Sequence, residues 1–228
     1  MKQIALDIGL TTGPTLQNFF PGPNHLAHAH LALWLGRGSG ATPRSPVPTY
    51  LWGSSGSGKT HLLEAVRAAL REQGSRVGWM DAQDPEPEPF SEHWEAVLID
   101  DVHLYTAVQQ QAAFNWFVNA QTHQRSVIAT GDQPPAGLLL RDDLRTRLGW
   151  GHVFGLKVLS EPERRAVLRK AADERGIFLG DEVMDFMLTR FSRDLASLME
   201  LLDLIDAYAL RTKRAITVPM IRAMMDES

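Results

Sequence analysis

Residues Gly53-Ser54-Ser55-Gly56-Ser57-Gly58-Lys59-Thr60 fit the pattern G-x-x-x-x-G-K-[ST] at every defined position. Glycines in such a loop let backbone N–H groups turn inward toward phosphate oxygens. Lys59 then supplies a cation to the β- and γ-phosphates, and Thr60 a hydroxyl to Mg²⁺. A second chemical centre is Asp100-Asp101, which closes the apolar run Ala96-Val97-Leu98-Ile99. One carboxylate there, Asp100, can hold Mg²⁺ through water while its neighbour Asp101 orients an attacking water. Thr130-Gly131-Asp132 offers a third polar group, with Asp132 the candidate to face the γ-phosphate. The ligand these residues predict is ATP or ADP with Mg²⁺.

Such groups converge only if the chain between them folds suitably. Thr49-Tyr50-Leu51-Trp52 reads as a buried strand before the glycine-rich loop, and residues 61–70 as a helix with an apolar stripe after it. A strand, a tight turn and a helix N-terminus make a phosphate cradle. Further strands are expected at 76–80, 96–99, 126–130 and 153–158, and helices at 24–36 (capped by Asn24) and 107–122. This alternation predicts an α/β parallel sheet wound by helices, with ligands at the carboxyl ends of the strands. Residues 37–48 and the acidic, proline-rich 84–89 read as surface loops. From Ser160-Glu161-Pro162-Glu163, a capping box with proline in the first turn, four helices follow without a strand signal. Asp181 is expected to cap the second of them and Thr217 the fourth. The domains read as a flexible tail at 1–16, a nucleotide-binding α/β domain at 17–158 and a small helical lid at 159–228.

Composition narrows the classes further. A chain of 228 residues, 44% hydrophobic and 22% charged, has ordinary globular proportions. Its formal charge of −4 carries no broad basic field, which argues against duplex DNA held by many phosphate contacts. There is no cysteine, so disulfides and thiolate-held zinc are excluded. The absence of a long apolar run or a signal-type N-terminus leads to the expectation of a cytoplasmic protein with no membrane partner.

Three further features invite chemistry. Leu144 to Leu148 has the spacing of a short helix exposing Arg145 and Arg147. Exposed arginines are ordinarily just solvated, but one at a sheet edge can reach a neighbour's phosphates as an arginine finger. His25, His28 and His30 lie close in sequence, yet helical spacing prevents them from facing one metal together. Gln3-Ile4-Ala5-Leu6-Asp7-Ile8 is a glutamine followed by spaced aliphatics, which suits either an apolar docking groove or an edge strand of the chain's own sheet.

With these residues in view, the chain resembles the AAA+ module of the bacterial replication initiator DnaA, and more closely the Hda group of DnaA-related regulators. The resemblance runs through Asn18-Phe19-Phe20-Pro21-Gly22-Pro23-Asn24 with Leu26-Ala27-His28-Ala29, the glycine-rich loop with His61-Leu62-Leu63, Leu98-Ile99-Asp100-Asp101, Thr130 to Pro135, and Leu144 to Gly151. It implies adenine-side contacts from Phe20 and Asn24, a nucleotide contact from His61 beside the glycine-rich loop, a nucleotide-sensing loop at Asp132, and an arginine finger, acting in trans, at Arg147. It also implies that Gln3, Ile4, Leu6 and Ile8 bind the sliding clamp, the beta subunit of DNA polymerase III. Asp7 stands where that peptide often has proline.

Within the resemblance, three features point to a regulator rather than an initiator: the clamp-type peptide, an ending after the lid that leaves no room for a DNA-reading domain, and the short acidic stretch 84–88 where initiators touch single-stranded DNA. The implied partners are DnaA and the clamp, with DNA reached mainly through the clamp and a homo-oligomer left open. The implied activity is stimulation of hydrolysis of DnaA-bound ATP, which limits re-initiation. The family's lid arginine is replaced by Ala196, with Arg193 one turn earlier. An autonomous P-loop ATPase of helicase-loader type and a DNA-binding initiator module are the alternatives.

Overall fold

The computed structural model describes residues 13–36, 43–191 and 195–226. Five parallel strands form one sheet in the order β2-β3-β4-β1-β5: β1 (Thr49–Trp52), β2 (Val77–Met80), β3 (Ala96–Ile99), β4 (Ser126–Gly131) and β5 (His152–Gly155). In register, Ile99 lies opposite Ala129 and Trp52 opposite Gly131, so β1, β3 and β4 end at one edge. The apolar run of β3 is buried throughout because helices cover both faces of the sheet. Val97 and Ile99 pack with Trp116 and Phe117 of α3 (Ala107–Thr122) and Leu144 and Leu148 of α4 (Asp142–Leu148). Ala96 and Leu98 pack on the other side with Leu31 of α1 (His25–Gly36) and Leu62, Leu63 and Val66 of α2 (Lys59–Glu72). Leu98→Ala would cost about 3 kcal/mol through the cavity it leaves.

Local chemistry sets the element ends. Thr106 and Gln109 form a capping box that starts α3. A 3-10 turn at Gly22–Asn24 precedes α1, so the helix starts at His25 and Asn24 belongs to the turn. The last strand ends at Gly155 rather than reaching 158, and the chain divides into two compact units after Leu156. Leu156 still belongs to the sheet unit because its N–H bonds the Trp52 carbonyl at 2.6 Å and its side chain lies in the sheet's core. Of the segment expected as a tail, residues 13–16 are described and are not free. Thr15 and Asn18 close a turn on each other, and Leu16 packs on the α1–α2 side of the sheet. The acidic loop is also less free than its composition suggested. Trp116 Nε1 donates to the Glu88 carbonyl and Gln109 Nε2 to that of Asp84, which tie the loop to α3.

The second unit groups Lys157–Ser228 with the loop residues Ser54–Ser57. Its described elements from Lys157 onward are α5 (Glu161–Glu174), α6 (Asp181–Arg190), α7 (Leu195–Thr212) and α8 (Val218–Asp226). Leu168, Met184, Met187, Leu202, Ile205 and Ile221 make their common core. Ser160 and Glu163 form the expected capping box, and hydrogen bonds from Ser160 hold the Glu163 carboxyl below its usual range. Gly180, not Asp181, occupies the N-cap of α6, and Asp181 instead pairs with Arg169 at 2.6 Å. Among the described residues no helix is long and apolar enough to cross a membrane.

Candidate functional site

The sequence-predicted phosphate site assembles where β1, β3 and β4 end. Gly58 has φ +93, a left-handed torsion that favours glycine, and a Cβ there would meet Phe19 Cε2 at 2.7 Å. Two independent reasons therefore require glycine before α2. Gly56 is also left-handed at φ +77. Lys59 is 7% exposed and its Nζ donates to the Gly53 carbonyl at 2.9 Å, so the ammonium is folded back along its own loop. Gly53, in turn, donates its N–H to the Gly131 carbonyl, which fixes the start of the loop against β4.

Asp100 is held from both sides. Thr60 Oγ1 donates to its Oδ2 at 2.9 Å and Thr130 Oγ1 to its Oδ1 at 2.6 Å. Thr130 Oγ1 also accepts the Asp101 N–H at 2.8 Å. Burial pushes the Asp100 carboxyl up, aided by the Asp101 charge and opposed by both threonines and Lys59. Beyond the Thr60–Asp100 pair expected from the motifs, Thr130 ties Asp100 and Asp101 to one hydroxyl. Its buried position at the end of a strand beside β3 was the available signal.

Asp101 adopts a left-handed conformation, φ 46, unusual for a residue with a side chain. Its Oδ1 lies 3.9 Å from Lys59 Nζ and 3.9 Å from His103 Nδ1, and His103 Nδ1 lies 4.0 Å from Asp132 Oδ1. His103 was missed because a histidine after an acidic strand end has no motif of its own. Gly131, between Thr130 and Asp132, is needed for space: an added Cβ would sit 2.1 Å from the Tyr50 hydroxyl. That hydroxyl donates to the Gln133 carbonyl at 2.7 Å, and burial, with the charges of Asp132 and Asp101, pushes it well up so that it stays protonated.

The two phenylalanines of the segment expected to enter the adenine pocket are placed differently. Phe19, rather than Phe20, packs under Gly58 and faces His28 and His61, with ring centroids 5.8 and 5.5 Å apart. His61 Nε2 donates to the Thr15 carbonyl, and burial pushes its imidazole below the usual range against that bond. Asn24 is buried nearby in the chain's 3-10 turn, whereas Phe20 is only half-buried. The histidines of α1 go separate ways: His28 Nε2 bonds the Leu16 carbonyl, and His30 Nε2 bonds Thr49 Oγ1. Among the described residues no group of His, Cys, Asp and Glu has metal-holding geometry.

The residues present fit a magnesium nucleotide. They offer a buried lysine, a hydroxyl and carboxylate in contact, a loop with left-handed glycines, and a buried Ser57 Oγ with no hydrogen-bond partner among the described residues.

Arg147 lies apart from these groups, in the last turn of α4. Its guanidinium stacks on Phe114 at 5.1 Å and on Trp150 at 4.6 Å. Arg145 is paired with Asp142 and Arg141 with Asp143, at 2.7 and 2.6 Å, while Arg147 makes no ion pair among the described residues. The expected clamp peptide Gln3, Ile4, Leu6 and Ile8, and Arg193, lie outside the described residues; of Ala196 only the backbone, in α7, is described.

Comparison with known proteins agrees with this architecture. Residues 161–225 match the family described as the Hda lid domain. An uncharacterised protein of Haemophilus influenzae is 31% identical over 237 residues, covering 99% of both chains. Domain III of the Thermotoga maritima replication initiation protein DnaA superposes with a TM-score of 0.70 at 21% identity, covering 93% of this chain and 95% of that one. AMPPCP-bound DnaA from Aquifex aeolicus gives 0.67 at 24% identity, covering 87% and 66%. The fold is therefore that of an AAA+ protein, a parallel five-stranded sheet wound by helices and followed by a helical lid. A lid matched to Hda and a full-length relative above 30% identity carry the assignment further than the fold does: the chain belongs to the Hda-like, DnaA-related family.

Proposed function

We propose that this protein is a nucleotide-bound regulator of replication initiation that stimulates hydrolysis of ATP held by DnaA. The observation that carries this reading is Arg147. Arg145 on α4 and Arg141 at its N-cap are neutralised by aspartates, and Arg147 is held instead by two aromatic faces that leave its charge available to a partner. A guanidinium kept oriented without an anionic partner suits an arginine finger, which stabilises charge on a transferring phosphoryl group from outside the site that binds the nucleotide.

The protein's own nucleotide, ADP or ATP, would be held by Gly53 to Thr60, with Lys59 releasing the Gly53 carbonyl to meet the β-phosphate. Thr60 and Asp100 would hold Mg²⁺ through water, and the ion when bound neutralises phosphate charge. Phe19, Asn24 and His61 would close the adenine side, and Asp132 would face the terminal phosphate. ADP is the proposed working form, since a regulator needs a stable docking shape rather than turnover. The Gln3–Ile8 peptide would tether the protein to the sliding clamp on DNA and raise its concentration near DnaA. The AMPPCP-bound DnaA of like fold supports nucleotide binding by this chain.

The test is a comparison of Arg147→Ala with Arg145→Ala in the hydrolysis of DnaA-bound ATP. Arg147→Ala is expected to lose about 10³-fold in stimulated rate while binding ADP and loaded clamp normally. Arg145→Ala should stay within a few-fold of the parent, since its charge is already spent on Asp142. Full stimulation by Arg147→Ala would overturn the finger assignment.

A further inference from the structure

A cavity of about 430 Å³ lies between residues 87–90 of the acidic loop and α3. Ligand pockets run from about 300 to 1,000 Å³, so it has room for a long side chain and the groups beside it. No residue assigned above to the phosphate site, and none of the α4 arginines, lines it.

The walls are held from within the protein. Phe90 and Trp116 both line the cavity, and Trp94 meets each of their rings edge to face, at centroid distances of 5.6 and 4.7 Å. Trp116 Nε1 donates to the Glu88 carbonyl at 2.9 Å and Gln109 Nε2 to that of Asp84 at 2.7 Å, which fastens the loop to α3 at both ends of its acidic run. Pro87 and Pro89 stiffen the loop between and after those points, since proline fixes its own φ. A groove shaped before binding loses little entropy when it is filled.

Two kinds of polar group line this space. From α3 come Asn115 and Asn119, one turn apart and therefore neighbours on the helix surface. Asn115 Oδ1 accepts from Gln111 Nε2 at 3.0 Å, and Asn119 Nδ2 donates to the Asn115 carbonyl at 2.8 Å. Asn115 Nδ2 and Asn119 Oδ1 make no hydrogen bond among the described residues. One open donor and one open acceptor are the complement of a peptide's C=O and N–H. From the loop comes negative charge. Glu88 lines the cavity, Glu86 and Glu92 are exposed on either side of it in the chain, and neither Glu86 nor Glu88 has an ion pair among the described residues. Of the cations that touch this region, Arg125 reaches the Glu92 carbonyl, His123 stands 3.8 Å from the Glu92 carboxylate, and Arg141 is bound to Asp143.

We infer that this groove docks an extended, cationic peptide segment of a partner protein through one lysine or arginine side chain. The apolar stem of that side chain lies on the prolines and the rings of Phe90 and Trp116, and its charge meets Glu88. The peptide groups flanking it take the open edges of Asn115 and Asn119. Nucleic acid is opposed by the carboxylates, and a polyamine offers no carbonyl to Asn115 Nδ2. The site works without the nucleotide and without Arg147, so it adds a second protein contact to those proposed above.

The experiment is an NMR titration of the ¹⁵N-labelled full chain with a capped hexapeptide of alternating arginine and serine. Spermidine, an oligothymidine and the same peptide with glutamate for arginine are titrated in parallel. The arginine peptide is expected to shift the Trp116 indole and the Asn115 and Asn119 side-chain signals, saturating with a Kd of about 100 μM. Glu88→Gln keeps the carbonyl that holds Trp116 and should weaken binding about 10-fold. The double variant Asn115→Ala, Asn119→Ala should weaken it about 5-fold, with a urea midpoint equal to the parent's. No saturable shift at about 1 mM peptide would overturn the inference. So would equal affinity in the parent and Glu88→Gln, or binding of spermidine or oligothymidine as tight as that of the arginine peptide.

Discussion

The strand ends that carry Asp100 and the helix that carries Arg147 solve opposite problems. At the strand ends, every contact to Asp100 comes from within: Thr60 and Thr130 occupy its two oxygens, and Lys59 is folded onto Gly53. At α4 and its N-cap, Arg141 and Arg145 are paired with aspartates, while Arg147 lies against the faces of Phe114 and Trp150 with no ion pair among the described residues. In the proposed scheme, the charges that would grip a ligand in cis are buried and partnered within the protein, and the charge that would meet another molecule's phosphates is oriented with no ion pair among the described residues. Exposure and pairing, not residue type, would then separate the two proposed uses of a cation.

That contrast can be broken most severely at Lys59. Lys59→Ala should weaken ADP binding about 100-fold, the value of a charged hydrogen bond to phosphate, and calorimetry reads it directly. A change of less than about three-fold would mean that Lys59 is a structural lysine of its own loop. Thr130→Val probes how tightly the cis side is tied. It strips Asp100 Oδ1 and the Asp101 N–H of their shared hydroxyl and should cost about 2 kcal/mol in urea unfolding. The α4 side should respond more weakly: Trp150→Ala removes one aromatic face and should lower stimulated hydrolysis about five-fold, while Trp150→Phe stays near the parent. A loss in Trp150→Ala that matched Arg147→Ala would mean the ring does more than orient the guanidinium.

The smallest effect concerns His61. Burial depresses its pKa, so the unfolded chain takes up a proton before the folded one does as pH falls. The stability this contributes is complete above the unfolded value near 6.5 and is lost as pH drops through the depressed folded value. His61→Gln should flatten the stability curve across that window; an unchanged slope would place the titrating group elsewhere.

Much of this was legible in the residues. The strand at 49–52, the strand at 96–99 and the helix at 107–122 fall where alternation and apolar runs put them, because hydrophobic period and turn residues act locally. The glycine-rich loop was legible because its chemistry tolerates so few residue types. Contacts between distant segments were not. Phe19 packs against the loop because the turn Thr15–Asn18 and the left-handed Gly58 bring that ring in, which no pattern of neighbours reveals. His103 joins Asp101 and Asp132 only through the pairing of β3 with β4. The acidic loop read as free is fastened by Trp116 and Gln109, whose polar ends carry no sequence signal of the carbonyls they seek.

The most direct test of the central claim is hydrolysis of ATP already bound to DnaA, with this protein added in ADP, in the presence and absence of clamp loaded on DNA. The account predicts acceleration that requires the loaded clamp. No acceleration in either condition would contradict it and leave a P-loop protein acting on some other partner.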